Sequence, residues 1–475
     1  MTPKSTSIKI STWIKNQAYR YTGKLLLRHE IPLNDKTLNY LIKEKIFEST
    51  PSFKNKILIK QCLRCGNTKH SLLGEIPCLN CKRTHLYCRK CIEMGRVMEC
   101  ERLYRWIGKA PSWEVHDNPC TWEGELTKPQ QQASSRIVES INKEGEELLV
   151  WAVCGAGKTE MLFQGITTAL KQGKRICLAT PRADVVRELK PRFQQAFANV
   201  LVQALYGGSQ DKDATAQLIL ATTHQLLRFK EAFDVMIIDE IDAFPYHADL
   251  SLPFATSRAK NPVCTTIYLT ATPRKKQQSL ITRKKLPHIF VPIRYHGYPL
   301  PVPQMKMSLS LKKDLQNNQP PAPFITWLNK RQNSRRQLLI FVPSISLAEQ
   351  ITKNIRRILL EEKIIEKNNA IDFVHAEDPC REERVQQFRS KELKVIVTTT
   401  ILERGVTFPS VDVAILDAGH DVFDDAALVQ IAGRAGRSAD DPTGEVVFFH
   451  DGKTEAMIQA ISAIKQMNQR GGVGG

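Results

Sequence analysis

The sequence is short of three things, and each shortage excludes something. No window approaches the ~18 uninterrupted apolar residues that a membrane-spanning helix requires. The opening stretch MTPKSTSIKISTWIK scatters its lysines without the apolar core or small-residue cleavage site of a secretory signal, so the expected compartment is the cytoplasm. Acidic side chains are scarce, 49 Asp and Glu against 68 Lys and Arg, and none occurs from Leu250 to Lys313.

That deficit leaves a net charge of +19 and an isoelectric point near 9.4. Such a surplus attracts polyanions, nucleic acid first and anionic membrane surface second. The acid-free interval holds Arg258, Lys260, Arg274, Lys275, Lys276, Arg283, Lys284, Lys285 and Arg294. They read as a track for a phosphate backbone, with a merely solvated basic face as the alternative. Phe244 and Tyr246 are expected to pack in the core. With 475 residues, two or three domains are expected.

Cysteine is plentiful but uneven. Six of the twelve lie between Cys62 and Cys91 as three Cys-x-x-Cys pairs. In a reducing compartment, paired thiolates on tight turns point to tetrahedral zinc rather than to disulfides. Four ligands close a structural site, so the six leave choices open. Cys78 and Cys81 could form a quartet with Cys62 and Cys65, or help bind a second ion with Cys100, His70 or His85.

Residues 1–60 read as a lysine-rich, partly helical region without assignable chemistry, 61–105 as a cysteine-rich zinc module and 106–124 as an irregular connector. From 125 to 296, apolar runs such as ELLVWAVC, RICLAT, QLILATT, FDVMIIDE and TTIYLTAT alternate with helix-like segments. Buried strands alternating with helices argue for a parallel sheet covered on both faces. The Pro-rich and polar stretch 297–323 reads as a connection between lobes, and 324–475 repeats the alternation. The fold class is α/β, two tandem parallel-sheet domains behind a small zinc module.

Chemistry enters at AVCGAGKT, which begins at Ala152. A strand delivers a tight loop in which Gly155 and Gly157, with Ala156 between them, let backbone N–H groups close around phosphate oxygens. Lys158 would reach the β and γ phosphates of ATP, and the Thr159 hydroxyl would ligate Mg²⁺. Ala152 stands where such loops usually start with glycine. Cys154 reads as a small filler. A partner carboxylate should end another buried strand. FDVMIIDEID places Asp239 to hold magnesium and Glu240 to orient or deprotonate the attacking water, with Asp242 as a link to neighbouring groups. In the second α/β domain, QIAGRAGR sets Arg434 and Arg437 three residues apart, a spacing expected to aim both guanidinium groups one way from a helix. An arginine supplied across a cleft can neutralise charge on the transferred phosphoryl group.

Taken in order, LTKPQ, AVCGAGKT, ATPR, TTHQ, DEID, TAT, TTTILERGVTF and QIAGRAGR resemble the motifs of superfamily two helicases. The resemblance implies two RecA-like lobes with ATP between them and a nucleic-acid strand crossing both. It also implies that Gln130 reads adenine, that Thr270 and Thr272 couple the sites, and that Gln430 joins Arg434 and Arg437 near the phosphates. YCRKCIEMGRV, WAVCGAGKTEMLF and DVMIIDEIDAFPY further resemble the ComFA family, late-competence ATPases that help Gram-positive bacteria import transforming DNA. That likeness implies a single-stranded DNA translocase, peripheral at the inner face of the membrane beside the uptake channel and other competence proteins. It favours Cys62, Cys65, Cys88 and Cys91 as the zinc ligands. An RNA helicase, or a zinc-stabilised DNA-binding adaptor switched by ATP, is the alternative reading.

Overall fold

The computed structural model describes residues 3–56, 59–211 and 213–472. Met1 and Thr2, part of the stretch read against a secretory signal, lie outside the described residues. No helix among the described residues is long and apolar enough to cross a membrane.

Two parallel sheets dominate. The first contains seven strands, edge to edge Val202–Leu205, Leu218–Thr222, Ile176–Thr180, Phe233–Asp239, Lys260–Thr270, Glu147–Ala152 and His288–Val291. Ile176–Thr180 and Leu218–Thr222 are buried at every position, because both faces of the sheet are covered. The second sheet orders Gln304–Met307, Val446–His450, Val411–Leu416, Gln337–Phe341, Val395–Thr398 and Ile371–Val374. All the apolar runs read from the sequence are strands of these sheets. Three short strands escape that reading, Val202–Leu205, His288–Val291 and Gln304–Met307. The last belongs to the stretch read as a connection, and lies parallel on Val446–His450 at the edge of the second lobe.

The N-terminal block is built differently. Helices Pro3–Tyr21 and Asp35–Lys43 precede a strand, Phe47–Pro51, that pairs antiparallel with Arg102–Trp106 and so brackets the cysteine segment. Between them lie the hairpin Phe53–Lys56 with Ile59–Cys62 and the small sheet Leu73–Pro77, Thr84–Cys88 and Val97–Met98. Tyr21, Leu38, Leu41, Phe47 and Trp106 form a core of their own. The cysteine-bearing part instead shares a core with the first lobe, where Cys62, Cys65 and Phe53 join the cluster that contains Leu149, Cys177 and Met236. Arg258 fastens the joint by donating to the carbonyls of Leu63, Leu227 and Phe229 at 2.9, 2.7 and 3.0 Å.

The acid-free interval is therefore not one continuous track. Arg258 is bound to main-chain carbonyls, Arg294 is fully buried against the second lobe, and Arg274 pairs with Asp424 across the cleft at 2.9 Å. Lys260 pairs with Glu147 at 3.1 Å. Lys275, Lys276, Arg283, Lys284 and Lys285 are exposed, on the helix Lys275–Thr282 and the turn after it. Tyr246 is buried as expected, but Phe244 is 71% exposed and corrects the expectation that it packs in the core.

Candidate nucleotide cleft and metal centre

The two lobes are closed on each other. Asp184 and Arg381 pair across the seam at 2.6 Å, and Arg187 and Glu382 at 3.0 Å. The glycine loop itself meets the second lobe. Cys154 Sγ donates to Gln430 Oε1 at 2.9 Å, and a Cβ built on Gly433 would lie 2.5 Å from the Cys154 Cβ.

Between the lobes is a cavity of about 550 Å³ whose walls include the whole set of nucleotide residues read from the sequence. Gln130, Gly155, Ala156, Gly157, Lys158, Thr159, Asp239 and Glu240 come from the first lobe, and Gln430, Arg434 and Arg437 from the second. The strand Glu147–Ala152 ends at the loop, and the helical turn Lys158–Met161 begins directly after it. Gly155 and Gly157 have φ of +79° and +69°, left-handed values that glycine adopts without a Cβ penalty. A Cβ on Gly157 would meet Gln130 Nε2 at 2.4 Å, and one on Gly155 would lie 3.8 Å from the Arg437 Cγ. The arginine loop thus stands directly against the glycine loop.

Gln130 is held inside its own lobe. Its Oε1 accepts from Thr127 N at 2.7 Å, capping the helix Lys128–Lys143, and its Nε2 donates to Ala156 O at 2.9 Å. Arg434 and Arg437 do not sit on a helix as their spacing suggested. The helix ends at Ala432, and the two arginines occupy the turn that follows, with Gly436 at φ +62°. Both guanidinium groups nevertheless reach the Val406 carbonyl, Arg437 at 3.0 Å. Burial, and then neighbouring Arg437, pulls Arg434 down to about 9.

The carboxylates are arranged with equal economy. Burial pushes Asp239 up to about 6, opposed by Lys158 and assisted by Glu240. A divalent cation there would supply the missing counter-charge. Glu240 takes φ +55°, a strained conformation for a non-glycine residue, and its Oε2 is buried without a hydrogen-bond partner. Asp242 is fully buried and accepts from the hydroxyls of Thr270 at 2.5 Å and Thr272 at 2.6 Å.

Its third partner was passed over in the sequence. Arg404 of the second lobe, 2% exposed, binds Asp242, stands 3.8 Å from Glu240 and 3.3 Å from Glu403. Asp242 holds Arg404 well above the usual guanidinium range despite burial, and Arg404 holds Asp242 below the carboxylate range. Arg294 mirrors it from the first lobe, donating to the Ala435 carbonyl at 2.9 Å and to that of Gly436. The only signal for Arg404 was its place in TTTILERGVTF, directly past a buried strand. Arg294 offered none beyond charge. Trp122, in the stretch read as the first connector, and Tyr295, at the end of the first α/β domain, also line the cavity.

The residues fit a nucleotide and its metal. Glu240 Oε2 and Gln430 Nε2, both in the cavity wall, are buried without hydrogen-bond partners, an arrangement a polar ligand would satisfy. A second fit is found in the N-terminal block. The sulfurs of Cys62, Cys65, Cys88 and Cys91 all lie within 4.8 Å of one another and all four residues are buried. Cys62 and Cys91 are 3.9 Å apart and Cys65 and Cys88 3.4 Å, against the separation of about 3.8 Å set by tetrahedral zinc with 2.3 Å bonds. Arg64, between the first two cysteines, is buried and paired with Glu30 at 2.8 Å.

Comparison with known proteins sorts these features. Residues 13–105 match the model of the competence protein ComFA N-terminal domain. Residues 123–275 match the type III restriction enzyme res subunit, and 322–439 the helicase conserved C-terminal domain. Competence protein ComFA of Bacillus subtilis is 42% identical over 97% of both chains. Its counterpart in Streptococcus pneumoniae is 37% identical over 84% of this chain and 92% of that one. Among solved structures, Saccharomyces cerevisiae Dbp5 bound to RNA and ADP BeF3 superposes with a TM-score of 0.52 at 17% identity, over 72% of this chain and 88% of that one, a likeness of fold. Two parallel-sheet RecA-like lobes of superfamily two, which imply ATP hydrolysis with Mg²⁺, thus follow a cysteine-bearing block matched over its length, and the chain belongs to the ComFA family of competence proteins.

Proposed function

We propose that this protein is an ATP-driven translocase of single-stranded DNA, acting in the import of transforming DNA. The observation that carries the reading is the cavity walled from both lobes, with the glycine loop and carboxylates on one side and the arginine loop on the other. Gly155, Ala156, Gly157 and Lys158 hold the β and γ phosphates. Thr159 and Asp239 would hold magnesium, which would supply positive charge beside the transferred phosphoryl group. Glu240 orients or deprotonates the attacking water, its unpartnered oxygen being the free acceptor. Arg434 and Arg437 neutralise charge as it develops, so hydrolysis depends on lobe closure. Gln130 and Gln430 contact the nucleotide, Gln130 at the adenine end.

Asp242, Thr270, Thr272 and Arg404 couple the chemistry to the track, because one buried carboxylate binds groups from both lobes. The exposed Lys275, Lys276, Arg283, Lys284 and Lys285 are the part of the basic interval available to a phosphate backbone. The cysteine quartet Cys62, Cys65, Cys88 and Cys91 holds a structural zinc ion: its four positions are all protein thiols, with none left for water. Partners are the DNA-uptake channel and other competence proteins at the inner face of the membrane.

The test is steady-state ATPase activity with single-stranded DNA, duplex DNA or RNA at several salt concentrations. Single-stranded DNA should stimulate most, and replacing Lys284 and Lys285 by Ala should flatten the salt dependence of its binding by about 1.4 log units per decade. One observation favours RNA as a second reading, since Dbp5 and the similarly folded Mss116 were solved with RNA. Dominant stimulation by RNA would replace the DNA assignment. Unstimulated hydrolysis would favour the adaptor whose ATP cycle only switches shape.

A further inference from the structure

The buried quartet leaves Cys78 and Cys81 unused, and the fold does not leave them idle. The hairpin formed by Leu73–Pro77 and Thr84–Cys88 carries both at its tip. Cys100 follows the strand Val97–Met98 and comes to the same place. Their three sulfurs lie within 4.8 Å of one another, and His85 Nε2, outside that group, is 3.0 Å from the Cys81 sulfur alone, so a turn of its ring brings it in as the fourth ligand.

The turn itself repeats the one that serves the buried quartet. In Cys62-Leu63-Arg64-Cys65, Gly66 N donates back to Cys62 O at 2.8 Å, Cys62 N donates to Asn67 O at 3.0 Å, and Gly66 has φ +75°. In Cys78-Leu79-Asn80-Cys81, Lys82 N donates to Cys78 O at 2.9 Å, Cys78 N donates to Arg83 O at 2.9 Å, and Lys82 has φ +54°. Donors, acceptors and offsets correspond position for position. Lysine occupies the left-handed position where the first turn has glycine, a conformation rare for a side-chain-bearing residue. No apolar packing holds the tip, since Leu79 is 94% exposed and Cys81 and Cys100 are exposed too.

We infer that Cys78, Cys81, Cys100 and His85 form a second zinc site, a Cys₃His set that staples the hairpin tip to the turn carrying Cys100. Binding exchanges three thiol protons for the cation, leaving three thiolates and a neutral imidazole around it. The site is independent of the buried quartet, sharing no ligand with it. It should also be the more labile of the two, because its sulfurs face water.

The full-length protein, purified from zinc-supplemented cells without chelator, should carry about two equivalents of zinc by elemental analysis. The double variant C78S/C81S should lose one equivalent while keeping its melting temperature and ATPase rate, and Cys100→Ser should lose the same one. His85→Ala should weaken that equivalent against a competing chelator and leave the other untouched. A single equivalent that C62S/C65S removes and C78S/C81S does not change would overturn the second site. A single equivalent removed by both double variants would mean one mixed quartet, and would overturn the second site and the buried quartet together. Loss of two thiols on mild oxidation, with no metal released, would make Cys78 and Cys81 a redox pair and also overturn the proposal.

Discussion

The two lobes share an architecture and divide the chemistry. Each is a parallel sheet whose strand ends face the cleft, yet the first supplies the glycine loop and the carboxylates while the second supplies cations. One cation crosses in the other direction, Arg294 of the first lobe towards the arginine loop, while Arg404 of the second lobe reaches Asp242. Similar scaffolds thus become interdependent: each carries buried polar groups that the partner lobe completes. Only the first lobe bears the N-terminal block, so its sheet is stabilised from outside the cleft as well.

The comparison can be broken most severely at Lys158. Lys158→Ala should abolish hydrolysis in a steady-state assay while circular dichroism shows an intact fold, because the side chain serves the ligand and no core. Arg437→Ala tests the other wall. It should lower the rate by about 10³-fold or more and leave nucleotide binding intact, and normal turnover would remove the arginine from its assigned role. Arg404→Ala sharpens the interdependence. It leaves Asp242 buried without its cation, a defect that costs about 3–5 kcal/mol when one partner of a buried pair is removed. Chemical denaturation should register that cost in a chain whose lobes are joined, and Arg404→Lys should recover part of it.

The smallest effect concerns the joint that only the first lobe has. Lys24, 7% exposed, donates to the Asp213 carbonyl, and burial pulls it down to about 7, with Arg175, Arg20 and Arg228 pushing the same way and Asp213 opposing. The unfolded chain then binds more protons than the folded one between about pH 7 and 10.5, so stability rises with pH across that window. Melting temperature should increase modestly from pH 7 to 9, and Lys24→Met should remove the increase.

How legible this was depended on how each feature is encoded. The central strands announced themselves because burial on both faces leaves continuous apolar runs. Gln304–Met307 did not, since an edge strand with its end residues exposed shows no run and sits among prolines. The glycine loop and the carboxylates were readable because their chemistry tolerates few residue types at few spacings. Arg404 and Arg294 were not, because a buried arginine differs from a surface one only in what the fold brings to it. The basic interval failed for the same reason. Charge can be counted along a chain, but Arg258 and Arg274 are committed to carbonyls and Asp424, while Lys275 and Lys276 remain at the surface.

The contact between Gly433 and Cys154 has one more consequence. Gly433 has φ −63°, an ordinary helical value, so alanine would be comfortable there on backbone grounds. Only the facing thiol side chain forbids it, and a single methyl group becomes a doorstop. A chain carrying that methyl would fold normally and stand ajar, giving experimenters a handle on the open form while every side chain assigned to the nucleotide is kept.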